Sequence, residues 1–98
     1  MILRFIKITG HSLEPTYREG DYVLIGAVPF PAGSIFPGDV VVFRHAALGL
    51  LIKRVEQVLG DAVLVLGTHP DSVDSRSFGP IPLSDVLGKV IWHIVKRD

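Results

Sequence analysis

The sequence contains no cysteine, and this absence excludes several kinds of chemistry together. Without a thiol the chain has no disulfide framework, no thiolate nucleophile and no thiolate ligand for a metal. Long apolar runs are also missing, since the longest one, Ala46–Ile52, is far shorter than the roughly 18 residues that a membrane-spanning helix needs. We therefore expect no transmembrane anchor in this sequence.

Charge of one sign is not concentrated anywhere in the chain. Ten Lys and Arg residues balance ten Asp and Glu residues, and no run of like charges could follow a phosphate backbone. We therefore expect no nucleic-acid partner. The start of the chain, Met1–Ile8, carries Arg4 and Lys7 among its apolar residues, which interrupts the apolar core that a secretory signal requires. This segment is interpreted as a strand instead.

Apolar residues in short runs are what the sequence has in quantity. Hydrophobic residues make up 48% of the 98 positions. A chain of this length is expected to form one domain, residues 1–98, because a second could not bury a core of its own. Runs of Val, Ile and Leu alternate with 10 Gly and 7 Pro, a pattern typical of short strands joined by turns. The pattern predicts a mostly β fold with some apolar surface left exposed, as in a binding groove.

Six strands are predicted from these runs: Leu3–Ile8, Tyr22–Ile25, Val40–Arg44, Leu50–Val58, Ala62–Leu66 and Val86–Val95. Gly60 and Asp61 suit a tight turn, so the strands beside them are predicted to form a hairpin. Residues 28–38 and 68–82 are predicted to be loops. Only Pro15–Arg18 offers a turn of helix, because proline favours a first helical position.

The first segment that could carry chemistry is residues 10–16, in which Ser12 stands between a predicted strand and a sharp turn. That position can expose the hydroxyl and place the backbone N–H of Ser12 beside it, as half of an oxyanion hole. Gly10 would let a substrate backbone approach closely. The alternative is that Ser12 only caps the turn that Pro15 helps to begin.

The second segment is Leu50–Val55, where strand alternation places Lys53 on one face with Leu51 and Val55, and Arg54 on the other. A lysine is a base only when neutral, and lowering its pKa from about 10.4 to 7 or 8 takes roughly 4 kcal/mol of differential desolvation. An apolar face supplies that desolvation. The alternative is a lysine that extends into solvent from an edge strand.

The third segment is residues 72–80, in which an extended backbone would place Ser72, Asp74 and Arg76 on one side. Asp74 and Arg76 can then pair and fix the loop. The Ser72 hydroxyl could hydrogen-bond the amine of Lys53 and orient it, as a third group orients the base in a triad. The alternative is an ordinary turn whose Asp and Ser side chains bond to their own backbone.

Together, and in this order, these segments resemble type I signal peptidases and their relatives in the serine–lysine peptidase family. The family's first box, Gly-x-Ser-Met-x-Pro-Thr with a following Gly-Asp, is matched by Gly10, Ser12, Pro15, Thr16, Gly20 and Asp21. Residues 37–43 look like the family's Gly-Asp-Val-Val strand, and residues 52–55 look like the box that contains the base. The last box, Ser-x-Asp-Ser-Arg-x-x-Gly, is matched by Ser72, Asp74, Ser75, Arg76 and Gly79.

The resemblance covers Ile8–Trp92 and has two departures. Leu13 stands where methionine is usual, and leucine keeps the volume and apolarity of that side chain. Thr68 and His69 stand where the family has Asp-Asn at the opening of the last box. The second departure changes how this loop is hydrogen-bonded at its start.

The resemblance implies a signal-peptidase-like, mostly antiparallel β fold with a shallow substrate groove and little helix, a fold that also occurs in self-cleaving repressors. It implies a serine endopeptidase with nucleophile Ser12, general base Lys53, supporting residues Ser72, Asp74 and Arg76, and groove and oxyanion residues Gly10, Ser12 and Leu13. No cofactor and no metal is implied. The implied partner is a protein precursor bound as an extended strand.

Within the family, residues 67–70, 72–76 and 78–82 look most like the maturation proteases of nickel-type superoxide dismutase, which trim a short leader from the dismutase precursor. That precursor is the expected substrate, and a cytoplasmic location is expected because no anchor is predicted. The alternative is a general signal peptidase that works at a membrane through exposed apolar surface. A noncatalytic module that binds peptides as an added strand is the alternative from another class, and the presence of both Ser12 and Lys53 argues against it.

The chain's histidines are His11, His45, His69 and His93. They allow a Ser-His-Asp interpretation, but Ser12 lacks the second glycine of Gly-x-Ser-x-Gly and no histidine stands in a marked sequence setting. The four are widely spaced, without a His-x-x-x-His pair, so no zinc site is predicted.

Overall fold

The chain forms a seven-stranded sheet in a computed structural model that describes residues 3–10, 13–27, 35–68 and 73–97. The strands are β1 Leu3–Lys7, β2 Tyr22–Ala27, β3 Val40–His45, β4 Gly49–Leu59, β5 Ala62–Leu66, β6 Ile81–Pro82 and β7 Val86–Ile94. They lie in the order β1-β2-β7-β3-β4-β5-β6, and neighbouring strands run antiparallel. The prediction of a mostly antiparallel β fold with little helix is confirmed.

All six predicted strands are present, with small shifts at their ends. The predicted hairpin is also confirmed, since Leu59 pairs with Ala62 across the turn between β4 and β5. Gly60 in this turn has φ +62°, in the left-handed region that favours glycine. The predicted loop 28–38 is described only from Ile35 onward, because residues 28–34 lie outside the described part of the chain.

The predicted turn of helix is present only as a single hydrogen-bonded turn. Pro15–Arg18 lies in a turn, where the backbone N–H of Tyr17 donates to the carbonyl of Leu13 at 3.0 Å without a helix following. Helix α1, Ser75–Phe78, lies instead in the segment predicted as a loop, and β6 follows it in the same segment. Within the described ranges, no helix is long and apolar enough to span a membrane.

The core consists of two apolar clusters that share strand β3. Val41 and Phe43 point into one cluster, and Val42, between them, points into the other. The large cluster contains Ile35, Val41, Phe43, Val55, Val63, Val65, Ile81 and Val86. The small cluster contains Ile8, Val23, Ile25 and Val42. Because β3 is covered on both faces, its sequence is a continuous apolar run rather than an alternating one.

Strand β7 joins the two halves of the sheet, since it pairs with β2 on one edge and with β3 on the other. The backbones of β2 and β7 approach closely at Gly88. A β-carbon at Gly88 would lie 2.5 Å from the carbonyl oxygen of Gly26, so this crossing requires glycine. The C-terminal half of β7 pairs with Tyr22–Ile25 of β2, directly after the segment that carries the first box.

Candidate active site

Lys53 projects from β4 into the apolar interior, and only 3% of its surface is exposed. It lies opposite Val41 of β3 in register, and Leu51 and Val55 on the same face of β4 pack in or against the large cluster. The following residue, Arg54, is only half-buried. The predicted alternation along β4 is confirmed, and the alternative of a lysine extending into solvent is wrong.

Burial lowers the pKa of Lys53 from its ordinary value, because an apolar interior solvates an ammonium ion poorly. Two charged groups modify this effect. The Asp74 carboxylate raises the pKa of Lys53, and the Arg76 guanidinium lowers it. A lowered pKa increases the fraction of neutral amine near neutral pH, and the neutral amine is the form that can accept a proton.

Asp74 and Arg76 form a two-pronged ion pair beside this lysine. The Nε of Arg76 donates to Oδ1 of Asp74 at 3.0 Å, and its Nη2 donates to Oδ2 at 2.7 Å. The Asp74 side chain is fully buried, whereas that of Arg76 is 52% exposed. The guanidinium is the main cause that lowers the pKa of Asp74 to about 2, so this carboxylate stays ionised in the interior.

The expectation that residues 72–76 are extended is wrong beyond Asp74. Asp74 is extended itself, but it caps α1 by accepting a hydrogen bond from the backbone N–H of Arg76 at 3.0 Å. The pair forms because the Arg76 side chain reaches back along this helical turn to its own cap. Ser72, predicted to support the base, lies outside the described residues.

Two hydrogen bonds fasten this cap to the end of β5. The backbone N–H of Gly67 donates to Oδ2 of Asp74 at 2.9 Å. The backbone N–H of Val65 donates to the Ser75 hydroxyl at 2.8 Å. Ser75 matches the last box of the family, but its role was not predicted. These bonds fix the charged pair relative to the strand that lies beside β4.

The predicted nucleophile, Ser12, also lies outside the described residues, as does His11, and the structure describes the chain on either side of them. Gly10 has φ +85°, a conformation that strains other residues. Leu13 is buried, with 1% of its surface exposed. The leucine that stands where the family has methionine thus anchors the chain in the apolar interior directly after Ser12.

Thr68 connects the first box to the last one. Its hydroxyl donates to the backbone carbonyl of Glu14 at 2.6 Å. Thr68 is one of the two residues that depart from the family's Asp-Asn, and this contact gives it a role at the start of the loop. Because its neighbour Gly67 donates to Asp74, a continuous path links Glu14 to the charged pair beside Lys53.

A cavity of about 270 Å³ lies between the end of β1 and the start of β4. Its lining is mainly apolar and includes Ile6, Lys7, Ile8, Thr9, Val42, Leu50, Leu51 and Ile52. One wall comes from the residues that precede the first box, and the other from the residues that precede Lys53. The cavity therefore adjoins both segments in which catalytic residues were predicted.

The edge of β1 has a backbone suited to binding an extended peptide. Strand β1 is the first in the sheet order, so in the described part of the chain only β2 pairs with it. The N–H of Ile8 donates to the carbonyl of Asp21 at 2.8 Å, toward β2. Because antiparallel strands alternate in this respect, the backbone groups of Lys7 and Thr9 face away from β2.

His93 contacts a buried carboxylate, and the sequence did not predict this contact. Its Nε2 lies 2.7 Å from Oδ2 of Asp21, a fully buried carboxylate. His45 is half-buried, and its Nδ1 accepts hydrogen bonds from the backbone of Ala47 and Leu48. The expectation that no histidine has a marked setting is therefore wrong for His93. No sequence signal links it to Asp21, which lies 72 positions away.

Comparison with known proteins identifies the family to which this chain belongs. A family model described as Peptidase S24-like matches residues 3–91. Signal peptidase IB of Staphylococcus aureus (strain COL) is 38% identical over 56 residues, which are 57% of this chain and 29% of that protein. Mitochondrial inner membrane protease subunit 1 of Xenopus tropicalis is 28% identical over 109 aligned positions, covering 88% of this chain and 65% of that protein.

The chain thus spans less than a third of signal peptidase IB and 65% of the mitochondrial subunit. The family match, in contrast, extends over nearly the whole sequence, from β1 into β7. It includes the strand that carries Lys53, the ion pair of Asp74 and Arg76, and the first box. The chain belongs to the Peptidase S24-like family.

Proposed function

We propose that this chain is a serine endopeptidase that removes an amino-terminal leader from a precursor protein, with Ser12 as nucleophile and Lys53 as general base. The observation that carries the proposal is the burial of Lys53, which lowers the pKa of its amine. A lysine with an ordinary pKa would be protonated at neutral pH and could not act as a base.

In the proposed reaction, the neutral amine of Lys53 accepts the hydroxyl proton of Ser12 while the serine oxygen attacks the scissile carbonyl carbon. The resulting ammonium then donates that proton to the departing amide nitrogen as the C–N bond breaks. An ester on Ser12 remains. The amine next accepts a proton from water as the water oxygen attacks this ester, and the serine leaves with the proton restored.

The pair of Asp74 and Arg76 supports this chemistry through its balance of charge. An isolated carboxylate near Lys53 would favour the ammonium form and weaken the base. Arg76 opposes that effect at Lys53, while burial continues to lower the pKa. In this proposal Ser72 adds a hydrogen bond that orients the amine.

The precursor is proposed to bind as an extended strand along β1, with an apolar side chain in the cavity beside it. Gly10 and Leu13 adjoin the nucleophile, and the backbone N–H of Ser12 supplies one donor to the developing oxyanion. The noncatalytic alternative requires the same groove but no hydrolysis. Ser12→Ala separates the two, because a binding module would lose nothing on this substitution.

We propose the precursor of nickel-type superoxide dismutase as the substrate, because residues 67–70, 72–76 and 78–82 resemble the proteases that mature it. Secretory preproteins are the second candidate, favoured by the similarity to signal peptidase IB. Both candidates carry an amino-terminal leader. They differ in whether the protease must act at a membrane.

An exposed apolar sheet face supports the second candidate. On β1, β2 and β7, the side chains that are exposed include Leu3, Phe5, Tyr22, Trp92 and Ile94. Phe5, Leu24 and Trp92 lie side by side across the three strands. An apolar face of this kind could contact a membrane surface peripherally. A cytoplasmic location, expected with the first candidate, needs no such contact.

Mass measurement of each precursor after incubation with the protein separates the two substrates. Cleavage of the dismutase precursor, with the secretory preprotein left intact, supports the first candidate, and the reverse result overturns it. Trp92 is the chain's single tryptophan, so its fluorescence reports directly on the apolar face. A blue shift of that emission on adding lipid vesicles would support work at a membrane, and an unchanged emission would argue against it.

A further inference from the structure

Asp21 is a buried carboxylate whose two oxygens have three hydrogen-bond partners. Its Oδ1 accepts from the backbone N–H of Lys96 at 2.7 Å. Its Oδ2 accepts from the backbone N–H of Arg18 at 3.0 Å and lies 2.7 Å from Nε2 of His93. The hydrogen bond from Lys96 is the main cause that lowers the pKa of Asp21 to about 2. Asp21 is therefore ionised, and His93 must be the donor in their contact.

The backbone of the same residue fastens the two chain segments that flank the first box. The N–H of Ile8 donates to the carbonyl of Asp21 at 2.8 Å. The N–H of Gly20 donates to the carbonyl of Ile8 at 2.9 Å, and the N–H of Asp21 donates to that of Arg18 at 3.0 Å. Ile8, which precedes the first box, is thus hydrogen-bonded through its backbone to Gly20 and Asp21, which end it.

His93 reaches this point from β7 and also contacts the turn that follows Ser12 in sequence. Its ring packs on the ring of Tyr17 with centroids 4.4 Å apart. Tyr17 in turn donates its backbone N–H to the carbonyl of Leu13, the residue after Ser12. One side chain therefore acts on the turn in two ways, through the carboxylate of Asp21 and through the ring of Tyr17.

We infer that His93 is a positioning residue for the nucleophile segment, acting through its hydrogen bond to Asp21. This inference rests on the proposed function, in which Ser12 reacts. Among the contacts of the described residues, His93 supplies the one side-chain donor to the Asp21 carboxylate, and the other two donors are backbone N–H groups. Loss of this donor leaves a buried carboxylate oxygen short of a partner, so the turn after Leu13 can shift.

Two substitutions separate the hydrogen bond from the ring. His93→Phe keeps an aromatic ring against Tyr17 but cannot donate to Asp21. His93→Gln lacks the ring, but its amide nitrogen can reach the same carboxylate. The activity assay measures kcat and KM on a precursor peptide at a temperature where both variants are folded. Hydrogen exchange at the Tyr17 amide, which bonds to Leu13, is measured in parallel.

The expected result for His93→Phe is a kcat at least about tenfold lower, with KM changed by less than about twofold and faster exchange at Tyr17, since a small misplacement of a reacting group has large effects. His93→Gln is expected to retain kcat within about threefold of the wild type, since it restores the donor. A wild-type kcat in His93→Phe would overturn the inference, as would equal losses in both variants. Should His93→Phe not fold, imidazole added to His93→Ala should restore kcat, and no restoration would contradict the inference.

A failure of the proposed function gives a different outcome. A wild-type protein that cleaves no precursor would refute the peptidase assignment and leave the exchange measurement in place. Exchange at Tyr17 that stays the same in the wild type and in His93→Phe would then refute the role of His93 on its own.

Discussion

The Thr68 hydroxyl donates a hydrogen bond of 2.6 Å to the carbonyl of Glu14, across 54 positions of sequence. Glu14 follows the predicted nucleophile by two positions, and Thr68 opens the loop that leads to Asp74 and Arg76. The contact therefore joins the segment proposed to attack the substrate to the segment that sets the charge around Lys53. A peptidase of the proposed kind needs these two segments in a fixed relation.

Thr68→Val tests this contact, because valine keeps the branched shape of threonine and removes the hydroxyl. We expect kcat to fall by about tenfold or more, since the nucleophile segment loses its tie to the loop. The free energy of unfolding should fall by only about 0.5 kcal/mol, the low end for an exposed hydrogen bond. Thr68→Ser, which keeps the hydroxyl, is the matched control. Full activity in Thr68→Val would show that the contact has no role in turnover.

Arg76→Ala should shift the acidic limb of the pH–rate profile to higher pH. Burial and the Arg76 guanidinium lower the pKa of Lys53 and the Asp74 carboxylate raises it, so removing Arg76 leaves burial alone to oppose the carboxylate. We expect the midpoint of log kcat/KM against pH to move to higher pH. Arg44→Ala, which removes an exposed arginine from β3, should leave the limb in place. A shift to lower pH in Arg76→Ala would contradict the proposed balance of charge.

Lys53→Met should stabilise the fold at neutral pH while abolishing activity. The folded-state pKa of Lys53 is lowered, so between that value and about 10.4 the unfolded chain binds more protons than the folded one. The unfolding free energy of the wild type therefore rises with pH across this window, by about 1.4 kcal/mol for each unit that the pKa is lowered. The methionine in Lys53→Met does not titrate, so the unfolding free energy of the variant lacks this dependence on pH.

Urea unfolding of the wild type and Lys53→Met at pH 7, 8.5 and 10 measures this difference. The advantage of the variant should be largest at pH 7 and should shrink as the pH rises. A difference that stays constant with pH would mean that Lys53 has the same pKa in the folded and unfolded chain, contrary to its burial.

The strands and the setting of Lys53 were predictable because both depend on local pattern. Short runs of Val and Ile between glycines and prolines defined the strands. Alternation along β4 placed Lys53 with Leu51 and Val55 on the buried face. β6 was missed because Ile81–Pro82 is too short to show any period.

The hydrogen bonds that hold the segments of the site together could not be predicted from local sequence pattern. Asp74 followed by Ser75 could have indicated a helix start, but the single turn of α1 is too short for an apolar period to develop. The bond between Thr68 and Glu14 spans 54 positions and that between His93 and Asp21 spans 72. Pairs so distant in sequence are brought together by the order of strands in the sheet, which no single segment encodes.

The central claim is that Ser12 and Lys53 together perform the hydrolysis, and the rate of precursor cleavage in three matched proteins tests it most directly. The wild type, Ser12→Ala and Lys53→Arg are compared by mass measurement of the newly formed amino terminus, after their folded states are verified by circular dichroism. The account predicts cleavage by the wild type, none by Ser12→Ala, and a loss of several orders of magnitude in Lys53→Arg, since arginine cannot supply a neutral amine. Cleavage at the wild-type rate by either variant would contradict it.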